Sequence, residues 1–253
     1  MYTVHTIMNP LNLRIHVAPV GFEVDRIVLS AKTRRADKVY LLVHHNTSQD
    51  KAGSFIEKIQ KKLKKLNIEV AIEPHDRLDL FEIIKSIKQI ILKEEGNNIY
   101  VNLASGSKIQ AIAGMMACMM FNENKNVFPF YVEAQEYPGS PHEEIPTGIK
   151  EPINLPSYEI QKPLQKHIAA LKIINANGGK LTKKMMATLA DKYELITVNA
   201  ENVNYSQARF ASLDQNIIRP LLLHWKFIEE EKIGRTRWIK ITPEGQNAAK
   251  FLI

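Results

Sequence analysis

The first half of the chain alternates five short apolar runs with four stretches whose apolar residues recur every three or four positions, and few folds tolerate that pattern. The runs cover 13–20, 38–44, 68–72, 98–102 and 127–132. Between them lie 23–33, with Val24, Ile27, Val28 and Ala31 on one face, and 49–66, with Phe55, Ile56, Ile59 and Leu63. The third and fourth stretches are 78–92, with Ile83, Ile84, Ile87, Ile90 and Ile91, and 109–121. Strands that alternate with helices, and are apolar enough to be covered on both faces, form right-handed βαβ units. The expected class is therefore α/β, a Rossmann-like doubly wound and mainly parallel sheet.

In such a sheet ligands bind beyond the carboxyl ends of the strands. That edge gathers Gly21-Phe22, His44-His45-Asn46-Thr47, Pro74-His75-Asp76 and the stretch Asn102-Leu103-Ala104-Ser105-Gly106-Ser107-Lys108. The last reads as strand, glycine loop, helix. Unpaired N–H groups at a helix start, with the positive end of its dipole, attract anions, and Ser105, Ser107 and Lys108 add hydroxyls and a charge there. A plain strand-to-helix turn with a serine cap is the alternative. The loop lacks the second glycine of a P-loop, and the first turn lacks Gly-x-Gly-x-x-Gly, which argues against a nicotinamide cofactor. No cofactor and no catalytic residue is assigned.

Charge separates the two halves. Residues 1–158 hold 19 Lys+Arg against 18 Asp+Glu, whereas 159–253 hold 15 against 9, so nearly all of the net charge of +7 sits in the C-terminal part. That excess points to a polyanionic partner. The lysines at Lys58, Lys61, Lys62, Lys64 and Lys65 read as a solvated helix face. The single Cys118, in a run of Met and Ala, reads as a small buried hydrophobe and leaves no disulfide or cysteine zinc site within one chain. The eight histidines do not cluster at ligand spacing, so no metal is expected. No apolar run approaches the roughly 18 residues of a membrane span, and residues 1–10 are neither a basic nor an apolar leader. A cytoplasmic protein with no membrane partner is expected.

From 137 to 163 the chain carries Pro138, Pro141, Pro146, Pro152, Pro156 and Pro163, which exclude regular helix over most of the segment. The expected division is 1–136 as the α/β domain, 137–158 as a linker with room for an edge strand near 143–150, and 159–253 as a second domain. In the second domain a helix over 164–176 stops at Asn177-Gly178-Gly179, and Thr182 caps another over 183–193. A third starts near Ser206 and is expected to break or bend at Pro220. A ribbon around Gly234 and a helix over 243–252, with Thr242 as cap and Pro243 at its first position, complete the pattern. This is the winged helix-turn-helix plan. On that plan Ser206, Gln207 and Arg209 lie nearest the bases of double-stranded DNA, and Lys183, Lys184, Arg235 and Arg237 sit at phosphates. A dimerisation or docking module is the alternative.

With these residues assembled, the chain resembles the CARF-domain (CRISPR-associated Rossmann fold) transcriptional regulators of archaea, which join a ligand-sensing domain to a C-terminal winged helix. Gly21-Phe22 match the family's loop after the first strand. Asn102, Gly106 and Lys108 fit its later loop, Asn/Asp-x-Ser/Thr-Gly-Gly-x-Lys/Arg, while Ala104 stands where Ser or Thr is usual and Ser105 where the first glycine would be. The resemblance implies a homodimer whose loops hold a cyclic oligoadenylate, with Gly21, Phe22, Asn102, Ser105, Gly106, Ser107 and Lys108 at the ligand. It implies a ligand-responsive regulator of transcription rather than an enzyme. Slow cleavage of the ring, and a different anionic metabolite, are the alternatives it leaves open.

Overall fold

The structure, a computed structural model, describes residues 12–46, 50–137, 146–200 and 204–253. The chain divides into two compact units, 1–160 and 161–253.

The first unit is built on one six-stranded sheet. Its strands are β1 (Arg14–Pro19), β2 (Lys38–His44), β3 (Glu69–His75), β4 (Asn98–Asn102), β5 (Val127–Tyr131) and β6 (Ile153–Asn154), in the order β3-β2-β1-β4-β5-β6. The first five run parallel, and β6 closes the edge antiparallel to β5. Between them lie α1 (Val24–Thr33), α2 (Gly53–Lys65), α3 (Leu80–Lys93) and α4 (Lys108–Met120). The doubly wound class expected from the alternation of runs is the one observed.

Side chains that alternate along each strand supply both layers. On one face Val39, Leu41 and Val43 of β2 join Ile27, Val28 and Ala31 of α1 and Ile59 and Leu63 of α2 in a continuous core. On the other, α3 packs against α4, with Ile83, Ile84, Ile87, Ala113 and Ala117 all fully buried. Cys118 is buried there too, as a small hydrophobe, and burial pushes its thiol above the ordinary range.

Three expectations change in this unit. The third run continues past Ile72 to His75, because β3 pairs with β2 along its whole length as far as His44↔His75. The expected start of the second helix at Gln49 lies outside the described residues, and the helix is observed from Gly53. Of the 143–150 edge strand, 143–145 also lie outside them. Thr147 forms a bridge to Glu136, while the strand that extends the sheet comes later, at Ile153–Asn154.

The second unit contains α5 (Gln165–Ala176), β7 (Lys180–Thr182), α6 (Lys183–Lys192), α7 (Tyr205–Leu213), β8 (Ile228–Ile233), β9 (Thr236–Ile241) and α8 (Pro243–Leu252). An antiparallel sheet in the order β7-β9-β8 carries the ribbon, with a tight turn at Gly234 and Arg235. Thr182 and Thr242 cap their helices by accepting the Met185 and Gly245 N–H groups. The helix of α7 does not break at Pro220. It widens into π-helical turns over Asp214–Ile218 and Pro220–His224, where Trp225 N–H donates to the Pro220 carbonyl five residues back. The wider register accommodates the proline ring, while Leu213, Ile217, Ile218 and Leu221 keep one face buried.

Candidate functional site

The strand order reverses between β1 and β4, and there the loops that follow the two strands diverge to opposite sides of the sheet. Their glycines meet. A Cβ on Gly21 would lie 3.0 Å from both the Cα and the N of Gly106. Gly106 itself has φ +77°, and a Cβ there would lie 2.6 Å from Pro19 Cβ and 2.7 Å from Gln110 Oε1. The conformation and the close packing each exclude a side chain, so the two loops approach backbone to backbone at this point.

Asn102 closes β4 and is buried. Its Nδ2 donates to the Arg26 carbonyl at 3.0 Å, and its Oδ1 accepts the Ala104 N–H at 2.9 Å. Its polar atoms hold the loop in shape instead of facing outward. Arg26, which sequence reasoning missed, completes the latch from α1: Nη1 donates to the Ala104 carbonyl at 2.7 Å and Nη2 to Tyr137 Oη at 2.9 Å. A single arginine on an amphipathic helix carries no local signal of that role.

Ser107 caps α4 in a reciprocal box. Its hydroxyl bonds Gln110 Oε1 at 3.0 Å, its backbone N–H donates to the same oxygen at 2.9 Å, and the Gln110 N–H points back at 3.4 Å. Behind the box, Gln110 Nε2 lies 3.1 Å from His75 Nε2. Burial pushes the pKa of His75 down, so a neutral ring accepts from the amide. The buried Ser105 hydroxyl has no hydrogen-bond partner among the described residues. Lys108, first residue of α4, is exposed, and Phe22 is 45% exposed with its ring edge-on to Phe55 at 5.4 Å. The structure thus brings Gly21, Phe22 and Asn102–Lys108 to one edge, with Phe22 and Lys108 outward and Asn102 and Ser105 inward.

In the second unit the start of α6, the side of α7 and the wing tip enclose a cleft of about 750 Å³. Lys184, Arg235 and Arg237 line it and are exposed. Lys183 lines it as well, but its ammonium is held between Asp214 and Glu230, 2.8 Å from the latter, with the side chain 12% exposed. Its charge is neutralised in place, contrary to its expected position at a phosphate. Ser206 and Gln207 are exposed on the first turn of α7, whereas Arg209 leans on Asp191 at 3.7 Å. The acidic run on β8 is likewise matched locally, Glu229 by Lys240 and Glu231 by Lys180. Among the described residues no group of His, Cys, Asp and Glu is arranged to hold a metal, and no helix is long and apolar enough to cross a membrane.

Residues 14–137 match the family described as "HFX_2341_N:-like, N-terminal", and residues 166–253 match the DUF6293 C-terminal winged helix domain. The chain thus joins a domain of the first kind to a winged helix domain, the order of the CARF-plus-winged-helix proteins that its sequence resembles. It is 31% identical over 211 residues to the uncharacterized protein MJ1513 of Methanocaldococcus jannaschii, covering 73% of this chain and 63% of that protein's length. Among solved structures it is similar to Can2 from Sulfobacillus thermosulfidooxidans in complex with cyclic tetra-adenylate (13% identity, TM-score 0.41, 94% of this chain and 63% of that one). It is also similar to Enterococcus italicus Csm6 bound to cyclic hexa-2'-fluoro-hexa-dAMP (11%, 0.42, 84% and 56%) and to protein VC1899 from Vibrio cholerae (12%, 0.40, 94% and 64%). Likeness at that level says nothing about ligand or activity.

Proposed function

We propose that this protein is a ligand-responsive DNA-binding regulator, acting as a homodimer, in which an anionic nucleotide of the cyclic oligoadenylate type binds at the loops after β1 and β4. The observation that carries the reading is the cleft beside α7. Three cations with no carboxylate partner among the described residues, Lys184, Arg235 and Arg237, flank a helix whose first turn exposes Ser206 and Gln207. Cations that flank such a helix suit phosphates on either side of a major groove, and the exposed amide and hydroxyl suit base edges.

The sensing part rests on the glycine contact and on α4. The loops after β1 and β4 meet at Gly21 and Gly106 beside a capped helix start, and Lys108 is exposed at that start. Such a site favours phosphodiester oxygens. The outer side of α4 supports pairing with a second copy, since Ile112 is 57% exposed and Met115 and Met116 are half-buried. Cyclic tetra-adenylate is the first nucleotide to try.

The test is fluorescence anisotropy of a duplex promoter fragment titrated with the full chain across a salt series, with and without cyclic tetra-adenylate. Replacing Lys184, Arg235 and Arg237 together by Ala should flatten the salt slope by about 3, roughly 0.9 for each lost phosphate contact. Nucleotide should change the DNA affinity severalfold in the natural chain and not in Lys108→Ala. An unchanged slope in the triple variant sinks the DNA surface. A nucleotide response that survives Lys108→Ala sinks the loop assignment.

A further inference from the structure

We propose that the sensor unit carries a second nucleic-acid site, a groove along α2 that binds single-stranded oligonucleotide. The groove has a volume of about 510 Å³ and runs beside α2 within the first unit. One wall is the helix itself, where Lys58, Lys61, Lys62 and Lys65 fall at i, i+3, i+4 and i+7 and so share one face. The opposite wall is formed by Asp25, Pro146 and Thr147. At its head stand Phe22 and Phe55, edge to face at 5.4 Å, with the Lys58 ammonium 5.2 Å from the Phe55 ring.

The charges in the groove are not equivalent. Lys62 is paired with Asp25 at 3.1 Å, and Asp25 also accepts the Gly148 N–H at 3.1 Å, which ties the two walls together. Lys58, Lys61 and Lys65 have no carboxylate partner among the described residues. They span seven residues, about 10 Å of helix at 1.5 Å per residue. A stacked strand carries one phosphate per about 3.4 Å, so about four phosphates lie along that length, within reach of the three lysines. The half-exposed Phe22 ring offers a face on which a base can stack.

A lysine stripe alone is an ordinary solvated face, which is how the sequence reads. What changes the reading is the aromatic pair at its head, one ring from the loop after β1 and the other from α2, together with a concave wall that faces the lysines. A track of cations leading to a stacking platform is how proteins hold single strands without regard to sequence. A purely acidic protein surface would need the cations and would have no use for the exposed ring.

The experiment uses the full chain and two fluorescein-labelled probes, a ten-nucleotide oligouridylate and its thymidylate counterpart, followed by anisotropy over a salt series. It is run on the natural protein, on Lys58→Ala/Lys61→Ala/Lys65→Ala, on Phe22→Ser and on Lys184→Ala/Arg235→Ala/Arg237→Ala. The α2 triple variant should weaken binding at least tenfold and lower the salt slope by about 2, roughly 0.7 for each single-strand phosphate. Phe22→Ser should weaken it about fivefold with the salt slope unchanged. The winged-helix variant should retain most of the binding. Tighter binding of the uridylate would identify RNA as the source, and tighter binding of the thymidylate DNA.

The proposal fails if neither probe binds saturably, if only the winged-helix variant loses binding, or if a polyglutamate peptide competes as well as the oligonucleotides while Phe22→Ser has no effect. The last outcome would assign the groove to an acidic protein partner. Phe22 also stands in the loop after β1 where the cyclic nucleotide is placed, so Lys108→Ala separates the two sites. It should spare oligonucleotide binding while abolishing the cyclic-nucleotide response, and loss of oligonucleotide binding in Lys108→Ala would overturn the separate groove.

Discussion

Two helices in this protein begin in the same way and end up doing different things with their first lysine. At α4, Ser107 caps the helix and Lys108 follows; at α6, Thr182 caps and Lys183 follows. Lys108 is exposed at the edge of the parallel sheet, whereas Lys183 is 12% exposed between Asp214 and Glu230, and the outward cation passes to Lys184. The local motif is a hydroxyl cap plus a cation in both. Whether the cation is available to a ligand depends on carboxylates that come from elsewhere in the chain.

The comparison can be tested first at the turns. Gly106 and Gly234 have φ of +77° and +60°, but only Gly106 lacks room, since a Cβ on Gly234 meets nothing within 4 Å. Gly106→Ala should therefore lose about 3 kcal/mol, the left-handed penalty plus the clash with Pro19, while Gly234→Ala loses about 1 kcal/mol. Thermal unfolding checks both, at roughly 2–4 °C per kcal/mol for a chain of this size. Equal shifts would show that the two turns are equally open.

Acid distinguishes the first unit next. His16 is buried in the sheet beside Tyr100 and Phe130, and burial, with the Arg34 guanidinium adding to it, holds its pKa down to about 3. The folded ring stays neutral while the unfolded ring takes up a proton below about 6.5, so stability is lost as pH falls from 6.5 towards 3. The loss should be about 2 kcal/mol by pH 5, at roughly 1.4 kcal/mol per unit. Denaturant unfolding of the natural chain against His16→Leu isolates it. A pH dependence that is the same in both proteins would assign acid lability to other groups.

Lys183→Ala should cost about 1–2 kcal/mol of stability, because it leaves two half-buried carboxylates facing each other. Gln110→Ala should cost about 1 kcal/mol through loss of the capping box. Lys184→Ala should leave unfolding within about 0.5 kcal/mol and change only DNA affinity. If Lys184→Ala destabilised as much as Lys183→Ala, the division of labour between the two lysines would be wrong.

Much of the fold was legible because period alone decides it. The isoleucines of α3 recur at helical spacing and are buried where that spacing places them, and β2 spans the expected 38–44. The break or bend expected at Pro220 follows from the α-helical register, whereas the chain adopts the wider π register there. The site was half legible. Its backbone features, Gly106 and the Ser107 cap, have local signatures. The role of Arg26 does not, nor does the contact of Gln110 with His75, since each depends on a partner far along the chain: Ala104 for the first, His75 for the second.

The sequence by itself determined the order of strands and helices, the capped helix starts and the excess of cations in the C-terminal part. All of these follow from periodicity, side-chain chemistry and local hydrogen bonding, which act within a few residues. Only the tertiary structure decided which of those groups face outward: Asn102 and Ser105 turned in, Lys108 and Lys184 turned out, Lys183 neutralised, and a lysine face on α2 joined to an aromatic pair. Burial and ion pairing depend on residues brought together from distant positions, and no local pattern carries that information.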